Sequence, residues 1–256
     1  MAEFFGFGGY KRTPEGYMSW QHLLFVSLLM LAMIALAIFF GLKNRKKDDK
    51  TKNKVLIWSA ILIDSFEILK FIIVCSREAS LEPILRMLPL FLCSIQLITI
   101  PLAAFAKGQI KEAALDFVFI FGILGAFAGT YGAGQNYSAY PVLSFDNVVS
   151  GITHSISGFA SLYIIISGMA SMKVKNIWIS FTILIGFCVL AYIADITIPY
   201  NYMFLMAGDG TPYDIFYNLV KGNRVLYPLI VVILFLLYIS VFYFVYFLIK
   251  RKREIK

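Results

Sequence analysis

Polar and apolar positions alternate along this chain in long blocks, with no short period. Apolar runs of about 20 residues are separated by shorter polar stretches rich in Lys, Arg, Gly and Pro. A run of that length matches a helix crossing roughly 30 Å of hydrocarbon. Membrane strands would be shorter and would alternate in polarity. Every backbone polar group inside a bilayer needs an internal partner, so continuous runs imply helices. The pattern predicts an all-α, polytopic transmembrane helical bundle with about seven spans. They cover residues 20–42, 55–75, 87–106, 114–132, 146–170, 176–196 and 228–249, within a single integral membrane domain over 1–256. No linker, low-complexity segment or convincing internal repeat interrupts the series, which weakens the case for a transporter built from inverted halves.

Composition strengthens this picture. Hydrophobic types make up 60% of the 256 residues and charged types 15%, and the mean hydropathy is +0.78. A soluble domain of this size carries more charge on its surface. The net charge of +8 raises the question of nucleic acid, but no segment has the interleaved basic and aromatic residues that such a surface requires. The positive charge follows topology instead. Sixteen Lys and Arg residues fall after spans one, three and five and in the tail, against six on the opposite side. The positive-inside rule then puts the C-terminus in the cytoplasm and the N-terminus outside, in what reads as a bacterial plasma membrane. The first apolar run has its basic cluster after it, at Lys43 to Lys54, so it reads as a retained span and not as a signal peptide.

Ionisable and nucleophilic groups inside spans cost a few kcal/mol or more and are read first as functional. Span two carries Asp64, Glu67 and Lys70; spacings of three allow a Glu67–Lys70 ion pair on one helix face. Span three carries Cys93, Ser94 and Gln96 after Pro89, and span five carries His154. Counting about 1.5 Å per residue from the expected span ends puts Glu67, Lys70, Cys93 and His154 at one depth, in the outer half of the bundle. A cysteine, a histidine and a carboxylate at one level have the makings of a nucleophile, a base and an orienting group. Each has a structural reading too, as a small apolar residue, a packed hydrogen-bonded ring and a helix-stabilising ion pair. His22 near the outer end of span one, Arg86, and the long loop after span six with Asp195, Asn201 and Tyr202 supply further polar groups near the outer face. The three cysteines, Cys75, Cys93 and Cys188, form no disulfide framework and no metal-ligand spacing. Neither a metal nor a cofactor is expected, and nothing in the chain points to an oligomeric state.

The run Arg86-Met87-Leu88-Pro89-Leu90-Phe91-Leu92-Cys93-Ser94-Ile95 resembles the "RLPLHLCSI" run of the YwaF-type integral membrane proteins, whose vertebrate relative is transmembrane protein 164. Gln21-His22-Leu23, Phe121 to Ala126, the segment from Phe145 to His154, and Asn201-Tyr202-Met203-Phe204-Leu205 resemble further family segments in the same order. The vertebrate member is described as a lipid acyltransferase that moves acyl chains between phospholipids through a cysteine and a histidine. The resemblance implies those roles for Cys93 and His154, and membrane phospholipids as partners. The expectation is a membrane-embedded, cysteine-dependent phospholipid acyltransferase or acyl hydrolase with a thioester intermediate. Glu67 or Ser94 would orient His154, and Arg86, Asp195, Asn201, Tyr202 and His22 would meet the substrate. The rival is a binder or transporter of a small polar ligand, in which Glu67, Lys70 and Asp195 matter more than Cys93. A third reading is a structural or interaction protein with no chemistry.

Overall fold

The structure, a computed structural model, describes residues 3–170 and 172–254, with side chains to Arg251; the rest of the basic tail lies outside the described side chains. Among the described residues the chain is all-α, with no strand. The long helices are α1 (Trp20–Asn44), α2 (Asp49–Glu78), α5 (Gly108–Ala128), α7 (Phe145–Ile166), α8 (Val174–Thr197) and α10 (Leu226–Glu254). Shorter pieces are α3 (Pro83–Arg86), α4 (Gln96–Phe105), α6 (Gly134–Ala139) and α9 (Asp214–Leu219).

Helix starts follow from capping. Ser19, Asp48 and Ser144 each accept a backbone N–H from the first turn of α1, α2 and α7, which satisfies one of the orphan donors there. The centre of the fold is the pair α5 and α7, with α1 and α2 against α7, α4 against α5 and α2, and α8 against α5. α10 packs on α8 and meets α5 through Tyr238 and Tyr243. Small residues let α5 and α7 approach closely. A methyl group on Gly122 would sit 2.7 Å from the Ser157 carbonyl, and one on Gly158 would sit 2.6 Å from Ala126 Cβ.

Four helices are long and apolar enough to cross a bilayer by themselves: Trp20–Asn44, Phe145–Ile166, Val174–Thr197 and Leu226–Arg251. The other three expected spans differ. α2 and α5 have spanning length, at 30 and 21 residues, but each interrupts its apolar run with three charges: Asp64, Glu67 and Lys70 in α2, and Lys111, Glu112 and Asp116 in α5. The third expected span, 87–106, is not one helix. Residues 87–95 form bends and turns, and only the ten residues of α4 are helical. Pro89 accounts for the break: it lacks an N–H and steers Leu88 away from helical backbone angles.

One charge inside an expected span escaped the sequence reading. Asp116 of α5 is fully buried. Its carboxylate accepts the Met172 N–H at 2.9 Å, the Asn176 amide at 2.8 Å and the Tyr243 hydroxyl at 2.9 Å. It thereby ties α5 to α8 and α10, the kind of pairing a buried charge requires. At the opposite end, Arg77 of α2 forms a bidentate pair with Asp146 at 2.7 and 3.0 Å, and Tyr10 donates a further hydrogen bond to the same carboxylate. The N-terminal segment is thus fastened across α2 and α7.

Candidate functional site

The broken third span is what presents Cys93. Non-helical backbone at membrane depth is tolerated where it is buried in protein or lines a cavity. The stretch 91–93 lines one. It is held from the α8 side. Asp195, at the end of α8, accepts the Tyr202 N–H at 2.6 Å. The Tyr202 hydroxyl donates to the Leu85 carbonyl, and its ring packs on Phe91 with centroids 5.1 Å apart. Asn201 shapes the adjoining loop: its side-chain oxygen accepts the Met206 N–H at 2.8 Å, and its nitrogen donates to the Ala207 carbonyl at 2.8 Å and to Asp209 at 2.7 Å.

His154 comes from the middle of α7. Its Nδ1 lies 2.7 Å from the Ser150 carbonyl, with the Ser150 hydroxyl at 3.4 Å. A carbonyl only accepts, so Nδ1 carries a proton and Nε2 is the nitrogen left to exchange one. Cys93 and His154 line the same two spaces, and Ser94 Oγ is 4.0 Å from the sulfur. α5 makes the room for this pair. A methyl on Gly125 would lie 3.3 Å from Cys93 Cβ, and one on Gly129 would lie 2.0 Å from His154 Nε2. The glycine stripe therefore accommodates helix contacts and the two reactive side chains.

Cys93, Ser150 and His154 form part of the wall of a cavity of about 1240 Å³. Its other walls come from α5, from Tyr17 of the N-terminal segment, and from the loop after α8, with Asp195, Asn201 and Tyr213 among the lining residues. Glu67 and Lys70 lie on the other side of the pair, in a small chamber that also touches Cys93, Ser94 and His154. The four groups placed at one depth by counting thus do converge. Glu67 is not the group that orients His154: its Oε1 binds Lys70 at 2.8 Å, and the histidine is held by its own helix at Ser150.

Four residues expected at the site lie elsewhere. His22 is fully buried; it accepts the Met18 N–H at 3.2 Å, meets the Thr130 carbonyl at 3.2 Å and stacks on Tyr137 at 3.9 Å. It faces no headgroup, because the N-terminal segment folds over it. Arg86 points outward and pairs with Glu78 at 3.0 Å. Tyr202 is buried behind the cavity wall and acts on it through Phe91 and Leu85. Gln96 is buried inside the bundle and accepts the Thr99 hydroxyl at 3.1 Å. The sequence reading missed Ser150 and the roles of Gly125 and Gly129. No side-chain pattern marks Ser150, because the atom nearest the imidazole is its main-chain carbonyl.

Fold and site together define an all-α membrane protein in which a helix break brings a cysteine to a histidine in the wall of a large cavity. A family model described as the TMEM164 family matches residues 17–246, and the chain belongs to that family. No curated protein and no solved structure matches it.

Proposed function

We propose that this chain is a membrane-embedded, cysteine-dependent phospholipid acyltransferase or acyl hydrolase. The observation that carries the reading is the Cys93–His154 pair on the cavity wall, with Nδ1 pinned by Ser150 and Nε2 left for the thiol. In that arrangement His154 Nε2 takes the thiol proton and the thiolate attacks an ester carbonyl of the lipid. The imidazolium then protonates the departing alcohol oxygen, leaving an acyl group on sulfur. A hydroxyl or water activated by the same nitrogen releases the acyl group in the second half-reaction. The cavity, at about 1240 Å³, exceeds the roughly 300–1,000 Å³ of drug-sized sites, and a lipid substrate fits that scale.

The same reading includes seven crossings with the N-terminus outside, in a bacterial plasma membrane, and a place among the YwaF-type members of the family. What supports the crossings is the four apolar helices together with α2, α5 and the broken third span, each packed inside the bundle. The Lys and Arg asymmetry supports the orientation, and the Arg86 to Ile95 run supports the YwaF-type placement. The binder reading draws on Asp195, which lines the cavity with Oδ2 unpartnered.

The deciding experiment incubates purified protein with phospholipid in detergent micelles and follows the protein's intact mass. An acyl adduct is expected on the wild type and on Cys188→Ala, but not on Cys93→Ala. A Cys93→Ala protein that gains the same adduct, or turns over lipid normally, removes Cys93 as the nucleophile; a wild type that gains no adduct and turns over no lipid favours the binder.

A further inference from the structure

The Cys93–His154 pair has a second space behind it. This chamber, of about 50 Å³, is lined by Ile63, Glu67, Lys70, Ser94, Leu97 and Thr153, among others. Cys93, Ser150 and His154 border both the chamber and the large cavity, so the reactive pair is part of the partition between them. The chamber is far below the roughly 300 Å³ at which sites for drug-sized ligands begin, which excludes an acyl chain or a lipid headgroup. It is ample for water, which needs about 10–15 Å³ on this measure and two or more polar partners. Those partners are present. The Lys70 ammonium has three protons and donates to Glu67 Oε1 at 2.8 Å, which leaves two. The Thr153 hydroxyl donates to the Ser150 carbonyl at 3.0 Å and keeps its lone pairs, and Ser94 adds another hydroxyl.

We infer that this small chamber supplies the water that resolves the Cys93 thioester, so that the second half-reaction is hydrolysis and the product is a free fatty acid. The inference rests on the acyl-enzyme reading above. When the thioester has formed, the acyl chain and the departing lysolipid occupy the large cavity. The face of the thioester carbonyl turned away from them meets the chamber. A water molecule held between Lys70 and the hydroxyls gives one proton to His154 Nε2 as its oxygen bonds to the carbonyl carbon. The carbon–sulfur bond then breaks, the thiolate recovers the proton from the imidazolium, and a carboxylic acid leaves. No other reactant is needed.

Two variants fill the chamber from different helices, Ile63→Phe on α2 and Leu97→Phe on α4, without touching the reactive atoms. Wild type and variants are pulsed with phospholipid in micelles, and formation and decay of the Cys93 adduct are followed by intact mass alongside release of free fatty acid. Adduct formation is expected to stay within about twofold in both variants, while decay by water slows by about tenfold or more. Normal adduct formation shows that a variant is folded. An adduct that forms and decays as in the wild type in both variants overturns the inference alone. So does a wild-type adduct that persists in water and breaks down only when a lysophospholipid is added. Absence of any Cys93 adduct in the wild type removes the acyl-enzyme reading and this inference with it.

Discussion

The surroundings of the two histidines differ in one respect that decides what each can do. Around His22 both ring nitrogens are committed: Nδ1 accepts from Met18 and Nε2 donates to the Thr130 carbonyl. Tyr137 stacks at 3.9 Å and Tyr17 lies at 5.5 Å, and the ring lines neither of the two spaces at Cys93. Around His154 one nitrogen is committed, to Ser150, and the other meets a thiol where two spaces join. Both rings are held by a backbone carbonyl. A histidine with both nitrogens spent is a packing element. A histidine with one nitrogen held and one free is a base with a fixed aim.

The largest effect should follow from removing that aim. His154→Gln keeps a polar side chain but offers no basic nitrogen, and loss of a positioned general base costs about 10²–10⁴ in rate. Lipid turnover per folded molecule should fall by that order, with the Cys93 adduct forming correspondingly slowly. Turnover close to wild type would place His154 with His22 and dissolve the contrast between them.

The sequence showed part of this contrast and hid the rest, for identifiable reasons. Apolar run length located the six long helices to within a few residues at most ends, because a span must be continuous and apolar. Depth counting brought Cys93, His154, Glu67 and Lys70 to one level, because rise per residue is fixed. Counting was blind to the break at 87–95, although Pro89 was its sign. It was also blind to Ser150, since the orienting atom is a main-chain carbonyl that any residue possesses. His22 looked exposed because its position near a span end was visible, while the N-terminal segment folded over it was not. Asp116 was legible as an ionisable group in an apolar run, and Met172, Asn176 and Tyr243, which donate to it, lie 56 to 127 residues distant, which no local pattern displays.

A smaller loss should come from crowding the histidine instead of replacing it. Gly129→Ala puts a methyl 2.0 Å from Nε2 and from Cδ2, so the ring must turn away from Cys93 or α5 must shift. A misplacement of about 1 Å can cost on the order of 10²-fold in rate, and a drop of about tenfold to a hundredfold is expected. The measurement is turnover beside labelling of Cys93 by a small thiol reagent. The thiol should remain reactive to the reagent while lipid turnover falls. Unchanged turnover would show that the imidazole does not need its present seat. Gly125→Ala is the graded counterpart. Its methyl would sit 3.3 Å from Cys93 Cβ, a gap that a shift of a few tenths of an ångström relieves. The same two measurements should show a loss of only about twofold to fivefold.

The smallest effect on chemistry should come from His22, despite its complete burial. His22→Leu keeps an apolar body of similar reach but removes both hydrogen bonds, leaving the Met18 N–H and the Thr130 carbonyl to find other partners. Each unsatisfied buried group costs about 1–3 kcal/mol, and part of the stacking on Tyr137 is lost as well. Thr130 follows α5 directly after Gly129, so the disturbance begins one residue from the seat of His154. If the two regions are independent, the protein should unfold in detergent at a temperature several degrees lower, while turnover per reactive Cys93 stays within about twofold of wild type. Turnover that falls with intact Cys93 labelling would mean that the Thr130 carbonyl transmits the loss to Gly129 and then to the imidazole. In that event the buried histidine would be a positioning residue for the Cys93–His154 pair, acting through three consecutive contacts, and His22→Leu combined with Gly129→Ala should then cost less than the two separate losses together.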